Sequence, residues 1–173
     1  QAHASGSRWH VTHGSVFELD YANLGDFDVV YSWGVLHHTG DMWRALENVA
    51  DCVAAEGKLF IALYNEQRFA SRYWTFVKRT YNRYPPTRPL WVAIHALYPF
   101  LPGQLLRIAQ GRRIPRGMSL LTDLFDWLGG YPFEVSLPEQ IFDFYRARHY
   151  ALCRLVTVGG RLGCNQFVFQ RTA

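Results

Sequence analysis

Apolar residues fall into distinct rhythms along this chain. Phe27, Val29, Val30 and Tyr31 form a short β-rich run behind Gly25-Asp26, the pattern of a strand buried on both faces of a parallel sheet. Met42, Leu46, Val49 and Val53 follow at helical spacing, with Gly57 placed to stop the helix as its C-cap. Leu59 to Leu63 is a second continuous apolar run that leads to Tyr64-Asn65. Strand, polar loop, helix and strand predict a βαβ crossover with parallel strands and a right hand. Trp9 to His13 reads as a further strand. Near the other end, Leu152 to Val158 and Asn165 to Gln170 alternate, and the Gly159-Gly160-Arg161-Leu162-Gly163 turn joins them as an antiparallel hairpin.

The middle of the chain has a different pattern. Gln67 to Tyr84 predicts a helix on which Phe69, Tyr73, Phe76, Tyr81 and Tyr84 gather near one face and Arg68, Arg72, Arg79 and Arg83 on another. Pro85-Pro86 ends it. Pro89 to Leu106 is apolar but broken by Pro99 and Pro102. A spanning helix needs ~20 clean apolar residues, so a buried or interfacial segment is expected instead. Ser119 to Leu128 predicts a short helix carrying Asp123 and Asp126, whose spacing suits surface charges better than paired acid/base carboxylates. Ser136-Leu137-Pro138-Glu139 reads as a capping box opening a helix through about Arg148.

A length of 173 residues with 49% hydrophobic content suits one domain with its own core. Cys52, Cys153 and Cys164 are odd in number and widely spaced. They exclude a disulfide framework or a zinc site and point to a reducing, cytoplasmic setting. Charge alters the picture more. No Asp or Glu lies between Gln67 and Thr122, while ten Lys and Arg do; the rest of the chain holds eight basic residues against fourteen acidic ones. Such a block suits an anionic partner. The apolar run beside it favours a lipophilic partner or a membrane surface over nucleic acid.

The order of features from Trp9 to Asn65 resembles the second half of a class I S-adenosylmethionine-dependent methyltransferase. The resemblance rests on Asp26-Phe27-Asp28-Val29-Val30, a small residue at the strand's end, Leu36-His37-His38, a helix, and Gly57-Lys58-Leu59-Phe60-Ile61. It extends in outline from residue 134 to 171. It implies a partial Rossmann-like α/β methyltransferase fold, one domain over residues 1–173, with a helical lid-like insertion at 67–131 after the central strand and a terminal antiparallel strand pair. His13-Gly14-Ser15-Val16 resembles the family's adenine-contacting turn, which implies cofactor contact at Ser15 and Val16. Ser32, Trp33 and Gly34 stand where the cofactor's amino-acid end would lie. The family's strand, Gly-rich turn and helix, which bring backbone close to the cofactor, have no match in this sequence. The chain therefore reads as the C-terminal portion of a longer methyltransferase, inactive alone.

The expected chemistry is attack of a substrate nucleophile on the sulfonium methyl of S-adenosylmethionine, driven by positioning. His37 or His38, just past a strand end, is placed to take the nucleophile's proton. Two adjacent histidines on a turn point in different directions, so no metal site is expected. Arg112, Arg113 and Arg116 would hold the anionic end of a small, partly apolar acceptor, since arginine grips carboxylate and phosphate with two donors. The competing expectation is a non-catalytic module that binds lipid or a membrane surface through the basic, aromatic insertion.

Overall fold

The computed structural model describes residues 10–19, 24–97, 106, 109, 110 and 120–172. Strand β1 (Phe27–Trp33) leads through a single 3-10 turn (Leu36–His38) to helix α1 (Met42–Asp51) and strand β2 (Val53–Tyr64). Helix α2 (Phe69–Arg83), a 3-10 turn (Pro85–Thr87) and helix α3 (Arg88–His95) come next. Helices α4 (Leu120–Gly129) and α5 (Pro138–Arg146) precede strands β3 (Tyr150–Val156) and β4 (Cys164–Arg171). The fold is mixed α/β, built on a four-stranded sheet of order β1-β2-β4-β3. β1 pairs parallel to β2, while β4 pairs antiparallel to β2 and to β3. Crossover and terminal hairpin thus form as the apolar rhythms predict.

β2 lies inside the sheet, and Leu59, Ile61, Ala62 and Leu63 on it are buried. One face of the sheet carries the main core. Ala45, Leu46, Val49 and Ala50 of α1 and Ile141 and Tyr145 of α5 pack there on Leu59, Ile61, Leu63, Phe167 and Phe169. Tyr145 and Tyr150 bury their rings while donating hydroxyl hydrogen bonds to the Leu46 and Ala50 carbonyls (3.1 and 2.7 Å), which ties both to the C-terminal turns of α1. A second cluster joins Trp74 and Val77 of α2 to Leu124 and Leu128 of α4 and to Phe133.

Four local expectations are corrected. Residues 10–13 form no strand. α1 ends at Asp51, not at Gly57, because Val53 pairs with Phe27 across the sheet and the Phe27 N–H donates to the Cys52 carbonyl (2.8 Å). Gly57 instead lies within β2, in a bulge where Glu56 has φ +61°. A Cβ on Gly57 would lie 2.8 Å from the Ala54 carbonyl oxygen, so only glycine fits there. β1 is not buried on both faces. Among the described residues only β2 lies beside it, and Tyr31 is 64% exposed. The capping box sits one residue late and is half made: Leu137 is the N-cap, and its N–H donates to the Gln140 side chain (2.9 Å). Leucine has no oxygen to return the bond.

Candidate functional site

The carboxyl ends of β1 and β2 open into a cavity of about 680 Å3, within the range usual for small-molecule sites. Trp33 and Gly34 line it from the end of β1, Tyr64 from the end of β2, and Cys164 from the start of β4. α2 contributes Lys78, and α4 contributes Asp123, Asp126 and Trp127. The helices after β2 therefore form the wall opposite the sheet. Buried polar contacts fix this end of β2. The Asn65 side-chain oxygen accepts from Asn165 Nδ2 (2.9 Å), and Ser136 N–H donates to the Tyr64 carbonyl (3.0 Å). Glu134 accepts from the backbone N–H groups of Gly40 and Met42 (2.9 and 3.1 Å), placing a carboxylate at the N-terminus of α1 where the helix dipole favours it.

The two histidines differ in every physical respect. His37 is 0% exposed. Its Nδ1 accepts the Tyr64 N–H (3.3 Å), so the ring proton sits on Nε2, which is buried without a partner. Burial, with the charges of His38 and Lys78 adding to it, holds its pKa down at about 3, and the ring is neutral throughout the physiological range. His38 lines the cavity. Its Nδ1–H donates to the Pro132 carbonyl (2.6 Å), leaving Nε2 as the ring's acceptor. Burial also lowers the His38 pKa, against the opposing pull of that hydrogen bond. Tyr64 packs against both rings, tilted over His37 and edge-on to His38, with centroids 4.0 and 5.5 Å away.

Lys78 is the residue that the linear pattern does not flag. It is 1% exposed, donates to the Trp127 carbonyl, and lies over the Trp127 and Phe133 rings (4.1 and 5.1 Å to the centroids). Burial lowers its pKa to about 8, and the charge of Asp126 works against that shift. Gly130 packs close against both groups: a Cβ there would sit 3.2 Å from His38 Cε1 and 3.3 Å from Lys78 Nζ. The sequence does hold one signal. Trp74, Val77, Lys78 and Tyr81 share a helical face, which places a lysine on the buried side of α2. Asp123 and Asp126, expected as surface charges, face the cavity as well.

The remaining expected site residues divide. Trp33 and Gly34 border the cavity, and nothing lies within 4 Å of the position a Cβ would take on Gly34. Ser32 alternates with Trp33 and so points to the other face of the strand. Ser15 and Val16 form a turn held on α1, where the Val16 carbonyl accepts from Asn48 Nδ2 (2.9 Å) and Ser15 Oγ accepts from the Phe17 N–H (3.2 Å). Arg112, Arg113 and Arg116 lie outside the described residues. Among the described residues no cluster of His, Cys, Asp and Glu suits a metal ion, and no helix is long and apolar enough to cross a membrane.

Comparison with known proteins bears on this end of the sheet. No curated protein matches the chain. Two solved structures are similar to it: an O-methyltransferase family protein from Burkholderia thailandensis (14% identity, 94% of this chain and 35% of that one, TM-score 0.47) and the N-terminal domain of EvdMO1 with SAH bound (15% identity, 92% of this chain and 52% of that one, TM-score 0.44). The chain thus spans about a third and about a half of their lengths. Residues 1–61 match the family described as a methyltransferase domain, a span that takes in β1, the paired histidines, α1 and most of β2. Over residues 1–61, about a third of its length, the chain is therefore similar to a methyltransferase domain.

Proposed function

We propose that this chain takes part in methyl transfer from S-adenosylmethionine to a small acceptor with an apolar part and an anionic part, with His38 as the general base. The observation that carries the proposal is the His38 ring in the cavity wall. Its Nδ1–H is committed to the Pro132 carbonyl, and its Nε2 lone pair is free. A cofactor fits this end of the sheet: Gly34 leaves open space and Trp33 offers a partly exposed ring. Trp33 and Gly34 would hold its amino-acid end. Ser15 and Val16, on their turn, would lie toward the adenine. Bound S-adenosylmethionine supplies the electrophilic methyl group.

The chain's own residues do the rest. His38 Nε2 takes the proton as the acceptor's O–H or N–H bond breaks, and the lowered pKa keeps the ring in its base form at neutral pH. His37 holds the end of β2 through the Tyr64 N–H and keeps the neighbouring ring in place. The Lys78 ammonium, shielded by Trp127 and Phe133, attracts the acceptor's negative group toward the cavity. Arg112, Arg113 and Arg116 would grip that group from the insertion. The test is methyl transfer by the full-length protein to a panel of phenols, amines and aromatic acids. His38→Gln should lower kcat by ~10²–10⁴-fold with cofactor affinity unchanged. Unchanged turnover in His38→Gln and His38→Ala refutes the base role.

A further inference from the structure

A second site lies on the outer side of α2, away from the cavity. A groove of about 320 Å3 there is lined by Arg68, Arg72, Arg79, Thr75 and Phe76, with Glu66 the single carboxylate. All three arginines are exposed, and neither of the ion pairs among the described residues involves them. At roughly 100° per residue, Arg68, Arg79, Arg72 and Arg83 fall within about 60° of helix arc, and Phe76, Phe69 and Tyr73 occupy the next ~80°. The opposite arc holds Trp74, Val77 and Lys78, all buried. Phe69 is 82% exposed and Phe76 57%. Phe69 and Phe76 of α2 therefore show exposed ring surface beside the arginines, Phe76 standing edge-on to Trp91, while the Tyr73 hydroxyl is tied to His95 of α3 (3.0 Å). Leu90, Ile94 and Leu97 in and just beyond α3 are exposed as well.

Large exposed rings rimmed by cations on one helix form the kind of patch that marks an interaction site. An arginine flank beside an aromatic flank on one helix matches the two layers of a bilayer interface, with phosphate headgroups against the cations and acyl boundary against the rings. We infer that the outer face of α2 docks this protein on an anionic lipid surface, with Arg68, Arg72 and Arg79 on the headgroup phosphates and Phe69 and Phe76 inserted between them. The attachment is peripheral, since no helix among the described residues can span a membrane. It is independent of the methyl-transfer reading, because none of these residues lines the cavity.

The test is co-sedimentation of the protein with vesicles of phosphatidylcholine alone or mixed with phosphatidylglycerol, without cofactor, at low and high salt. Binding is expected only to the mixed vesicles, and high salt should weaken it. Each arginine near an anionic bilayer is worth about fivefold in partitioning, so R68Q/R72Q/R79Q should lower binding about a hundredfold. F69S/F76S should weaken binding at every salt concentration. Circular dichroism and thermal melting check that these variants stay folded, and the single variant R72Q should show an intermediate loss. Equal binding to both vesicle types, no binding to the mixed vesicles, or full binding by the triple variant overturns the inference. So does tight binding of duplex nucleic acid, lost in the triple variant, without vesicle binding.

Discussion

Replacing Lys78 by methionine should leave the fold intact, lower turnover, and change the pH dependence of stability in a calculable way. The side chain is 1% exposed, and burial pulls its pKa from 10.5 down to about 8. At ~1.4 kcal/mol per pKa unit, that gap is worth ~3 kcal/mol by which the folded state disfavours the ammonium. The folded pKa lies below the unfolded one. Between about pH 8 and 10.5 the unfolded chain therefore binds more protons, and wild-type stability rises with pH through that window. Below about pH 8 the full penalty is present. Lys78→Met removes the penalty but strands the Trp127 carbonyl, a loss of about 1–3 kcal/mol. At pH 7 the variant should thus be equal to the wild type or up to ~2 kcal/mol more stable. By pH 10.5 its advantage should have fallen by ~3 kcal/mol. Urea unfolding followed by tryptophan fluorescence at several pH values measures the difference, and groups that titrate alike in both proteins cancel. A difference that stays constant from pH 7 to 10.5 refutes the reasoning.

Other expectations follow from the same geometry. The acid limb of kcat should fall below the ordinary histidine value of ~6.5, because burial lowers the His38 pKa; a limb at or above that value contradicts the assignment. The alkaline limb should lie near 8 and vanish in Lys78→Met; its persistence removes Lys78 from acceptor binding. Gly57→Ala should cost ~1–3 kcal/mol in a thermal or urea melt, since its methyl meets the Ala54 carbonyl, and a neutral result shows the bulge can shift. Tyr31→Lys should reduce self-association in sedimentation velocity runs, because a charge on an exposed edge strand opposes strand pairing; an unchanged profile shows that this edge is not the contact.

Local rhythm alone set out β1, β2, the helix between them and the terminal hairpin, because each is specified by its own alternation or helical spacing. The errors fall where a distant partner overrides local preference. Val53 fits the apolar face of α1 by spacing, yet its pairing with Phe27 draws it into the sheet. The choice between His37 and His38 was equally invisible. Their neighbours in sequence are nearly the same, and the difference comes from the Pro132 carbonyl, 94 positions away, and from the Tyr64 N–H. Helical spacing puts Lys78 on the apolar face of α2, but what seals it is α4, which lies across it and brings Trp127 over its ammonium. That Gly34 and Trp33 border the cavity, by contrast, is legible, because they close a parallel strand at its carboxyl end, where such sheets place their clefts.

The two apolar clusters have a kinetic consequence. The sheet, α1 and α5 share one, while α2, α4 and Phe133 share the other, so the cavity has a wall drawn from each. Separate clusters open as separate cooperative units, and the smaller one opens more often. Amide protons of α2 and α4 should then exchange with solvent sooner than those of β2 and β4. A bound molecule touching both walls loses its contacts with the helical wall whenever that wall parts. Its residence time should therefore shorten when the packing of Trp74, Val77, Leu124 and Leu128 is loosened, although none of these residues lines the cavity.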